Sequence, residues 1–270
     1  MTVSSFDDGV LGVRPLEVFY KAASSTLVAG RAWTPFYTAG IPGPAVAPTP
    51  GVAGAALTSY AGQIPFPAAV GGETIHLAKF HGLAAGQAGS LLLCDRLWHN
   101  SGLSVTLTTS QTVNSVAFPA RDENESTNGE GVLVAVEVSA AMGAGTPTLT
   151  LGYTNQAGTA GKTANTVISP VGASAVVGTM HVFALSAGDT GVRSIQTYQS
   201  SATMTSGTIH LVAFRILEQI DLPASGVPDG VNLLTSGLKR CWDNTVPFLI
   251  FMPSATTSSQ LIGTVGFSRR

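Results

Sequence analysis

The stretch Ser139–Gln156, SAAMGAGTPTLTLGYTNQ, contains the pattern that decides the fold of this chain. Small residues lead into the run Thr148–Tyr153, in which polar and apolar side chains alternate, and the run then breaks into a turn rich in asparagine and glycine. Alternation with a period of two is typical of a strand that has one buried face. Because similar runs recur along the chain and charged residues are scarce, the sequence predicts an all-β protein.

Further strands are predicted from apolar or threonine-rich runs that are bounded by turn residues. The runs predicted as strands are 73–80, 90–98, 103–108, 131–138, 148–153, 165–169, 179–185, 192–198, 207–217, 247–252 and 260–267. Turn signals separate these runs, and the sequence shows no amphipathic segment that could serve as a crossover helix. The predicted fold is therefore an antiparallel β-sandwich, jelly-roll-like, with an extended proline-rich N-terminal arm.

The composition predicts a surface with little charge. Of the 270 residues, 44% are hydrophobic and 10% are charged, whereas about 25% charged residues is usual for a globular chain. A core can be buried, but the surface must consist largely of serine, threonine, alanine, glycine and asparagine. Weakly charged surfaces tend to associate, so we expect neighbouring subunits to cover much of this one.

Composition also divides the chain into three predicted regions. Residues 1–70 are rich in proline and aromatic residues, and we interpret them as an extended arm with one short helical segment at Pro15–Ala23. Residues 71–222 carry most of the predicted strands and form the sandwich body. Residues 223–270 begin with a turn-rich linker and end with a strand pair that completes or extends the sandwich.

The arm is the part of the chain most suited to intermolecular contact. Its stretch Gly40–Gly51 holds several prolines, which fix φ and lack a backbone donor, so it is predicted to be extended and not a central strand. Its aromatic side chains are expected to lie against the body or a neighbouring subunit. The candidate interface residues are Trp33, Phe36, Tyr37, Pro42, Pro44, Tyr60 and Phe66.

The charge distribution argues against nucleic-acid binding and membrane insertion. The formal net charge is −2, and the densest basic pairs, Lys239–Arg240 and Arg269–Arg270, are too small to hold a phosphate backbone. The acidic cluster at Asp122–Glu125 is predicted to be a solvated loop tip. No run approaches the roughly 20 apolar residues of a membrane span. The N-terminal residues lack the pattern of a signal peptide, so we expect synthesis in a cytoplasm without processing at this end.

The residues that could carry chemistry are few. Cys94 and Cys241 are predicted to be buried free thiols, with a single bridge between them as the alternative. The five histidines, at positions 76, 81, 99, 181 and 210, lack the carboxylates or cysteine pairs of a metal site and are predicted to be packed or solvent-facing strand residues. The run Cys94–Asn100 is expected to make structural hydrogen bonds at a strand end. We assign no catalytic, cofactor-binding or metal-binding residue and expect no enzyme activity.

Four phrases of the sequence together resemble structural proteins encoded in the virion modules of tailed bacteriophages and prophages. The phrases are Gly54–Pro65, Leu92–Gly102, Thr112–Asp122 and Gly152–Gly161, so that the resemblance spans roughly residues 50–220. It implies a particle protein that is present in many copies, is made in the cytoplasm of a bacterial host and resides in the virion. It carries over no functional residues.

These observations lead to one main hypothesis and two alternatives. The main hypothesis is a capsid decoration or cement protein, whose partners are the major capsid protein and further copies of itself, with a trimer as one arrangement. Main-chain pairing by the arm with a neighbour would add to these contacts. One alternative is a tail, baseplate or head-to-tail protein. The other is a carbohydrate-binding sandwich for host attachment, in which Trp98, Trp242 and Tyr153 stack on sugar rings.

Overall fold

The structure is a computed structural model that describes residues 6–167, 175–235 and 237–270. Within these ranges the helices are one short α-helix, α1 (Phe6–Leu11), and a 3-10 turn at Pro35–Tyr37. The strand pairs with a described register are all antiparallel. The all-β antiparallel fold predicted from the sequence is therefore confirmed, and it is consistent with a sandwich.

The described residues form sixteen strands, numbered in chain order. They are β1 Glu17–Lys21, β2 Gly40–Ile41, β3 Ala55–Ala56, β4 Ile75–Ala84, β5 Gly89–His99, β6 Gln111–Thr112, β7 Val132–Ala140, β8 Leu149–Asn155, β9 Lys162–Thr166, β10 Met180–Ala184, β11 Val192–Ser200, β12 Thr208–Leu222, β13 Asp229–Asn232, β14 Arg240–Cys241, β15 Pro247–Pro253 and β16 Leu261–Arg269.

The chain forms two compact units that are interleaved in sequence. Within the described residues, unit 1 consists of 6–46, 58–95 and 216–270, and unit 2 consists of 47–57 and 96–215. The strands β5 and β12 each contribute residues to both units. The boundaries predicted from composition, at residues 70 and 222, divide the chain into consecutive regions. The compact units instead combine segments that are far apart in sequence and are joined by strand pairing.

Unit 1 contains a six-stranded sheet in the order β13-β4-β16-β1-β2, with β14 also paired to β4. On its buried face, the ring of Phe19 in β1 lies over Gly263 in β16, its partner in register, and reaches Gly82 in β4 beyond it. Leu91 of β5 also approaches Gly82 from the layer below. The two glycines leave the space that the aromatic ring fills, and Phe19 is fully buried as a result.

Unit 2 contains β7, β10, β9, β8, β11 and β6 in this order across its sheet, with β12 next to β7. Its alternating strands turn one face inward; β8, for example, buries Leu149, Leu151 and Tyr153. These side chains belong to one hydrophobic core. Other large members of this core are Trp98, Phe118, Phe183, Tyr198 and Leu211.

Three sequence predictions are wrong in detail. Pro15–Ala23 forms no helix, because β1 pairs with β16 along its length and this pairing outweighs the local helical spacing. Residues 103–108 form no strand; Leu103 and Val105 are buried, but Gln111 and not a neighbouring strand binds the backbone of Ser104.

The third correction concerns the segment 223–246. It is more than a linker, because β13 and β14 both pair with β4. The other predicted strands coincide with described strands to within a few residues, except that positions 168–169 of the predicted strand 165–169 lie outside the described residues.

The glycine contact under Phe19 gives a test of this packing. Gly263→Ala places a methyl group against the ring of Phe19 and the carbonyl oxygen of His81, and overpacking of this kind costs about 1–3 kcal/mol. We expect the free energy of unfolding, measured by urea denaturation, to fall by that amount. Gly43→Ala is the matched control, because an added methyl there meets no atom within 4 Å. Equal stability of the two variants would contradict the described packing of β1 on β16.

Candidate functional site

The seven candidate interface residues of the arm are not all at the surface. Trp33 and Phe36 are buried and Pro44 is exposed, while Tyr37, Pro42, Tyr60 and Phe66 are partly exposed. The ring of Phe36 contacts those of Tyr60 and Phe248 at centroid distances of 6.0 and 5.8 Å. Trp33 and Phe36 are therefore occupied by contacts within unit 1, and Pro44 keeps the exposure that an intermolecular contact needs.

The arm pairs with a sheet edge of its own chain. Trp33 and Phe251 of β15 exchange two backbone hydrogen bonds of 2.9 and 2.7 Å. The backbone N–H groups of Gly30 and Ile64 donate to Pro253 and Pro247 at the two ends of the same strand. This arrangement covers the outer edge of β15, which would otherwise present unpaired backbone groups.

Lys21 fixes the beginning of the proline-rich stretch. Its side chain is buried, and its Nζ donates to the carbonyl oxygens of Thr38, Pro42 and Gly43 at 3.3, 2.7 and 3.4 Å. Burial lowers the pKa of Lys21 to about 8. Because three carbonyl groups surround one ammonium group, the chain must turn around Lys21, which places Ile41 beside Tyr20 as part of β2.

The face of the unit 1 sheet opposite Phe19 carries a continuous apolar row. Ile41, Tyr20, Ile262 and Leu83 are partners in register across β2, β1, β16 and β4. Ile41 is 58% exposed and Tyr20 is 43% exposed. Directly opposite residues of antiparallel strands point to the same face, so four large apolar side chains lie in line. We call this surface the outer face.

A second row on the outer face is mixed in polarity. Val18 of β1, which is half exposed, is in register with Thr264 of β16, and Thr264 is in register with His81 of β4. Lys79 lies two residues before His81 on the same strand and is partly exposed. Among the described residues of β1, β4 and β16 that point to this face, none is an aspartate or a glutamate.

An apolar hollow of about 320 Å³ opens beside these rows. Its floor lies where β4 and β16 slip in register, so that Ala78 forms a bulge between the paired positions Lys79 and Leu77. Leu234, on its rim, is 76% exposed. The residues that line the hollow are Val13, Leu16, Ala78, Lys79, Asn232, Leu233, Leu234 and Gly266.

Unit 2 buries an ion pair in its core. Arg96 of β5 donates from both terminal nitrogens to the two carboxylate oxygens of Glu137 in β7, each at 2.7 Å, and neither side chain is exposed. The run 131–138 is compatible with a strand buried on both faces or with one that turns Glu137 outward, and the structure buries Glu137. A buried charge is tolerated only when a partner compensates it, and Arg96 provides that partner.

Two histidines complete this buried polar cluster. The Nε of Arg96 donates to the Nδ1 of His99 at 3.3 Å, which makes His99 an acceptor and therefore neutral. His210 donates from Nδ1 to the carbonyl oxygen of Asn100 at 2.9 Å and accepts from the hydroxyl of Ser139 at 2.6 Å. Burial, assisted by the charge of Arg96, lowers the pKa of His99 to about 3.

The acidic loop is organised by one of its own carboxylates. Asp122 is buried and accepts hydrogen bonds from the backbone N–H groups of Asn124, Ser126, Gly129 and Glu130 and from the hydroxyl of Ser126. Burial raises the pKa of Asp122, but these hydrogen bonds outweigh burial and hold it below its ordinary value. The loop tip is solvated, as the sequence predicts, except for Asp122 itself.

The histidines and cysteines of the described residues form no metal-binding group. His99, His181 and His210 are buried, and His76 and His81 are partly exposed. The described residues contain no group of three or more histidine, cysteine, aspartate or glutamate side chains that could hold a metal ion. Cys94 and Cys241 are both buried free thiols, as the sequence predicts. Burial raises the pKa of Cys94, which makes its thiolate unfavourable.

The aromatic residues proposed for sugar binding are mostly inaccessible. Trp98 and Tyr153 have no exposed surface, and the hydroxyl of Tyr153 donates to Asp189 at 2.6 Å. Trp242 is partly exposed, but the guanidinium of Arg240 lies over its ring at 4.8 Å. No helix among the described residues is long and apolar enough to cross a membrane.

Comparisons with known proteins do not assign the chain to a family. No protein-family model matches the sequence, and no curated protein is similar to it. The viral particle of infectious bursal disease virus gives a structural alignment with 8% identity and a TM-score of 0.19, covering 94% of this chain and 77% of that one. The VP2 subviral particle of the same virus gives 6% identity and a TM-score of 0.17, with coverages of 95% and 81%. TM-scores this low do not establish a shared fold.

Breaking the buried ion pair should be costly. Arg96→Met leaves the Glu137 carboxylate without its bidentate partner in a buried site, and such a change typically costs about 3–5 kcal/mol. The double variant Arg96→Met/Glu137→Leu should recover most of this loss. Arg193→Met is the control, because Arg193 is exposed. Urea denaturation gives the free energy of unfolding of the wild type and the three variants. An Arg96→Met variant as stable as the wild type would contradict the pairing.

The buried histidines predict a loss of stability in acid. The pKa of His99 falls from 6.5 in the unfolded chain to about 3 in the folded protein, so below about pH 6.5 the unfolded state binds a proton that the folded state does not. Each such group removes about 1.4 kcal/mol of stability per pH unit in this window. His99→Gln should therefore flatten the decline of the unfolding free energy between about pH 6 and pH 4. Identical slopes for both proteins would refute this account of His99, which faces Arg96, Glu137 and His210.

Proposed function

We propose that this protein is a non-catalytic structural component of a bacteriophage particle, and that it acts as a decoration or cement protein on the capsid. The observation that carries the proposal is the small number of charges left at the surface. Of 13 basic and 15 acidic residues, five basic and three acidic side chains are buried. Twenty charged side chains are then at least partly exposed on a chain of 270 residues.

The buried charges serve the fold of each unit. Arg96 and Glu137 pair with each other in unit 2, and Lys21 binds three carbonyl groups in unit 1. Some exposed charges are neutralised as well, since Arg269 pairs with Glu73 at 2.8 Å and Arg270 with Asp8 at 3.4 Å. The surface that remains is sparsely charged and contains the apolar outer face. Such a surface favours association with other protein surfaces.

The edges of the unit 1 sheet favour contact through faces. The edge strands β2 and β13 have two and four residues, which offers little backbone for another chain to pair with. The arm pairs with β15 of its own chain. These observations weaken our expectation that the arm adds a strand to a neighbour and favour many small side-chain contacts, which a lattice repeats around the particle.

A tail, baseplate or head-to-tail protein remains the second candidate, because it needs the same kind of surface. A carbohydrate-binding role is less favoured, since two of its three aromatic residues are buried. The two particle locations differ in where the protein is found and not in its chemistry, so the test must separate heads from tails.

The test uses particles assembled with and without this protein. We expect the protein to co-purify with filled heads that lack tails, and its omission to lower the temperature at which heads release DNA, measured by dye fluorescence. Adding back the purified protein should restore that temperature. Presence only in tail fractions would support the second candidate, and absence from all particle fractions would contradict a particle role.

A further inference from the structure

We propose that the outer face of unit 1 binds the same face of a second copy of this chain, with the two sheets packed face to face about a two-fold axis. This dimer would add an oligomeric state to the proposed function. It rests on the proposed function only for its location on a bacteriophage particle. It is carried by the apolar row Ile41, Tyr20, Ile262 and Leu83 and by the adjacent apolar hollow.

The first argument is that the sheet is apolar on both faces. Antiparallel sheets that meet water on one side usually alternate apolar residues inward and polar residues outward. In β1, Phe19 is buried on the inner face, while Val18 and Tyr20 are apolar and 49% and 43% exposed on the other. A sheet with two apolar faces is expected to have a layer on each, and the described residues place none over the outer face rows.

The second argument is size. The end of this face at Ser268 is covered by the same chain, because Ser268 is fully buried and donates to the carbonyl oxygen of Gly9. The open part runs from Lys79 to Leu83 on β4, which is roughly 15 Å at about 3.3 Å per residue, and the strands from β13 to β2 span roughly 20 Å. The open area is therefore on the order of 300 Å², below the roughly 800 Å² that each partner contributes to a standard protein interface, and it corresponds to a weak, concentration-dependent dimer.

The third argument favours a second copy as the occupant. The exposed Leu234 stands on the rim of the apolar hollow, so the same surface carries both a protruding side chain and a recess. A two-fold axis can place Leu234 of each copy in the hollow of the other, and such an isologous contact closes without leaving a free patch.

Charge neither favours nor prevents contact with a second copy. The rows that point to the outer face hold Lys79 and His81 and no acid, so a two-fold contact through these rows contains no ion pair between the copies. The side chain of Lys79 is long and partly exposed, and its ammonium group can extend to the rim of the contact while its methylene groups stay inside.

Sedimentation velocity of the full-length chain over two decades of concentration tests the proposal. We expect the wild type to form a concentration-dependent dimer. Leu234→Asp and Val18→Asp should each raise the dimer dissociation constant at least roughly 30-fold, because each variant removes a buried apolar side chain from both halves of the contact. Both positions are exposed in the single chain, so circular dichroism should show an unchanged fold.

Leu107→Asp is the matched control, since Leu107 is 48% exposed but lies in unit 2. It should dimerise like the wild type. A wild type that stays monomeric throughout, a dimer that both outer-face variants leave intact, or an equal loss with Leu107→Asp would each overturn the proposal. These outcomes are independent of whether the protein is found in purified particles, which decides the proposed function separately.

Discussion

The architecture of unit 1 depends on the pairing of the last strand of the chain with the first. Strand β16 lies between β4 and β1 and forms hydrogen-bonded ladders with both. This pairing makes a strand of residues 17–21 and brings Tyr20 and Ile262 into one row. The outer face exists only because residues about 240 positions apart are held in register. Folding of this unit therefore requires a contact between residues far apart in sequence, and non-local pairing of this kind generally slows folding.

The distribution of charge has a similar origin. A chain with few charged residues could place all of them in water, yet this one buries Arg96 with Glu137 and places the ammonium group of Lys21 among carbonyl groups. Each of these three charges is compensated by specific geometry, which favours one arrangement of the strands over others. The cost is a surface with less charge than the composition indicates. Sparse surface charge and two apolar sheet faces then act in the same direction, because both favour association.

The sequence predicted most strands because their signal is local. Runs such as Val132–Val138 and Leu149–Tyr153 show their apolar content or alternation within a few residues, and both became strands. The local sequence pattern predicted the wrong structure where pairing with a strand distant in sequence decides the conformation. Leu16, Phe19 and Tyr20 have helical spacing, and only β16 shows that their segment is a strand. The Arg96–Glu137 pair joins residues 41 positions apart, although Glu137, the single charged residue of its strand, could have suggested a buried partner.

The structure separates the candidate interface residues of the arm into buried and accessible ones. The aromatic residues Trp33 and Phe36 suggested intermolecular contact, and they are buried within unit 1. The exposed apolar residues Val18 and Tyr20 were hidden from sequence reasoning because a helix would have grouped Tyr20 with Phe19. Once β1 is a strand, alternation sends Phe19 inward and its two neighbours outward. The assignment of this five-residue segment as a strand therefore decides which of its side chains are buried and which are exposed and available for contact.

An association through the outer face has a consequence for assembly. Pairing through a sheet edge leaves a new edge at the far side and can continue without limit. Pairing of two identical faces about a two-fold axis uses each face once and stops. The short edge strands β2 and β13 and the pairing of the arm with β15 disfavour the first mode, whereas the exposed apolar row across β2, β1, β16 and β4 favours the second. A protein with so little surface charge can remain soluble if its association closes, and a closed pair is a unit that a particle lattice can accept at defined positions.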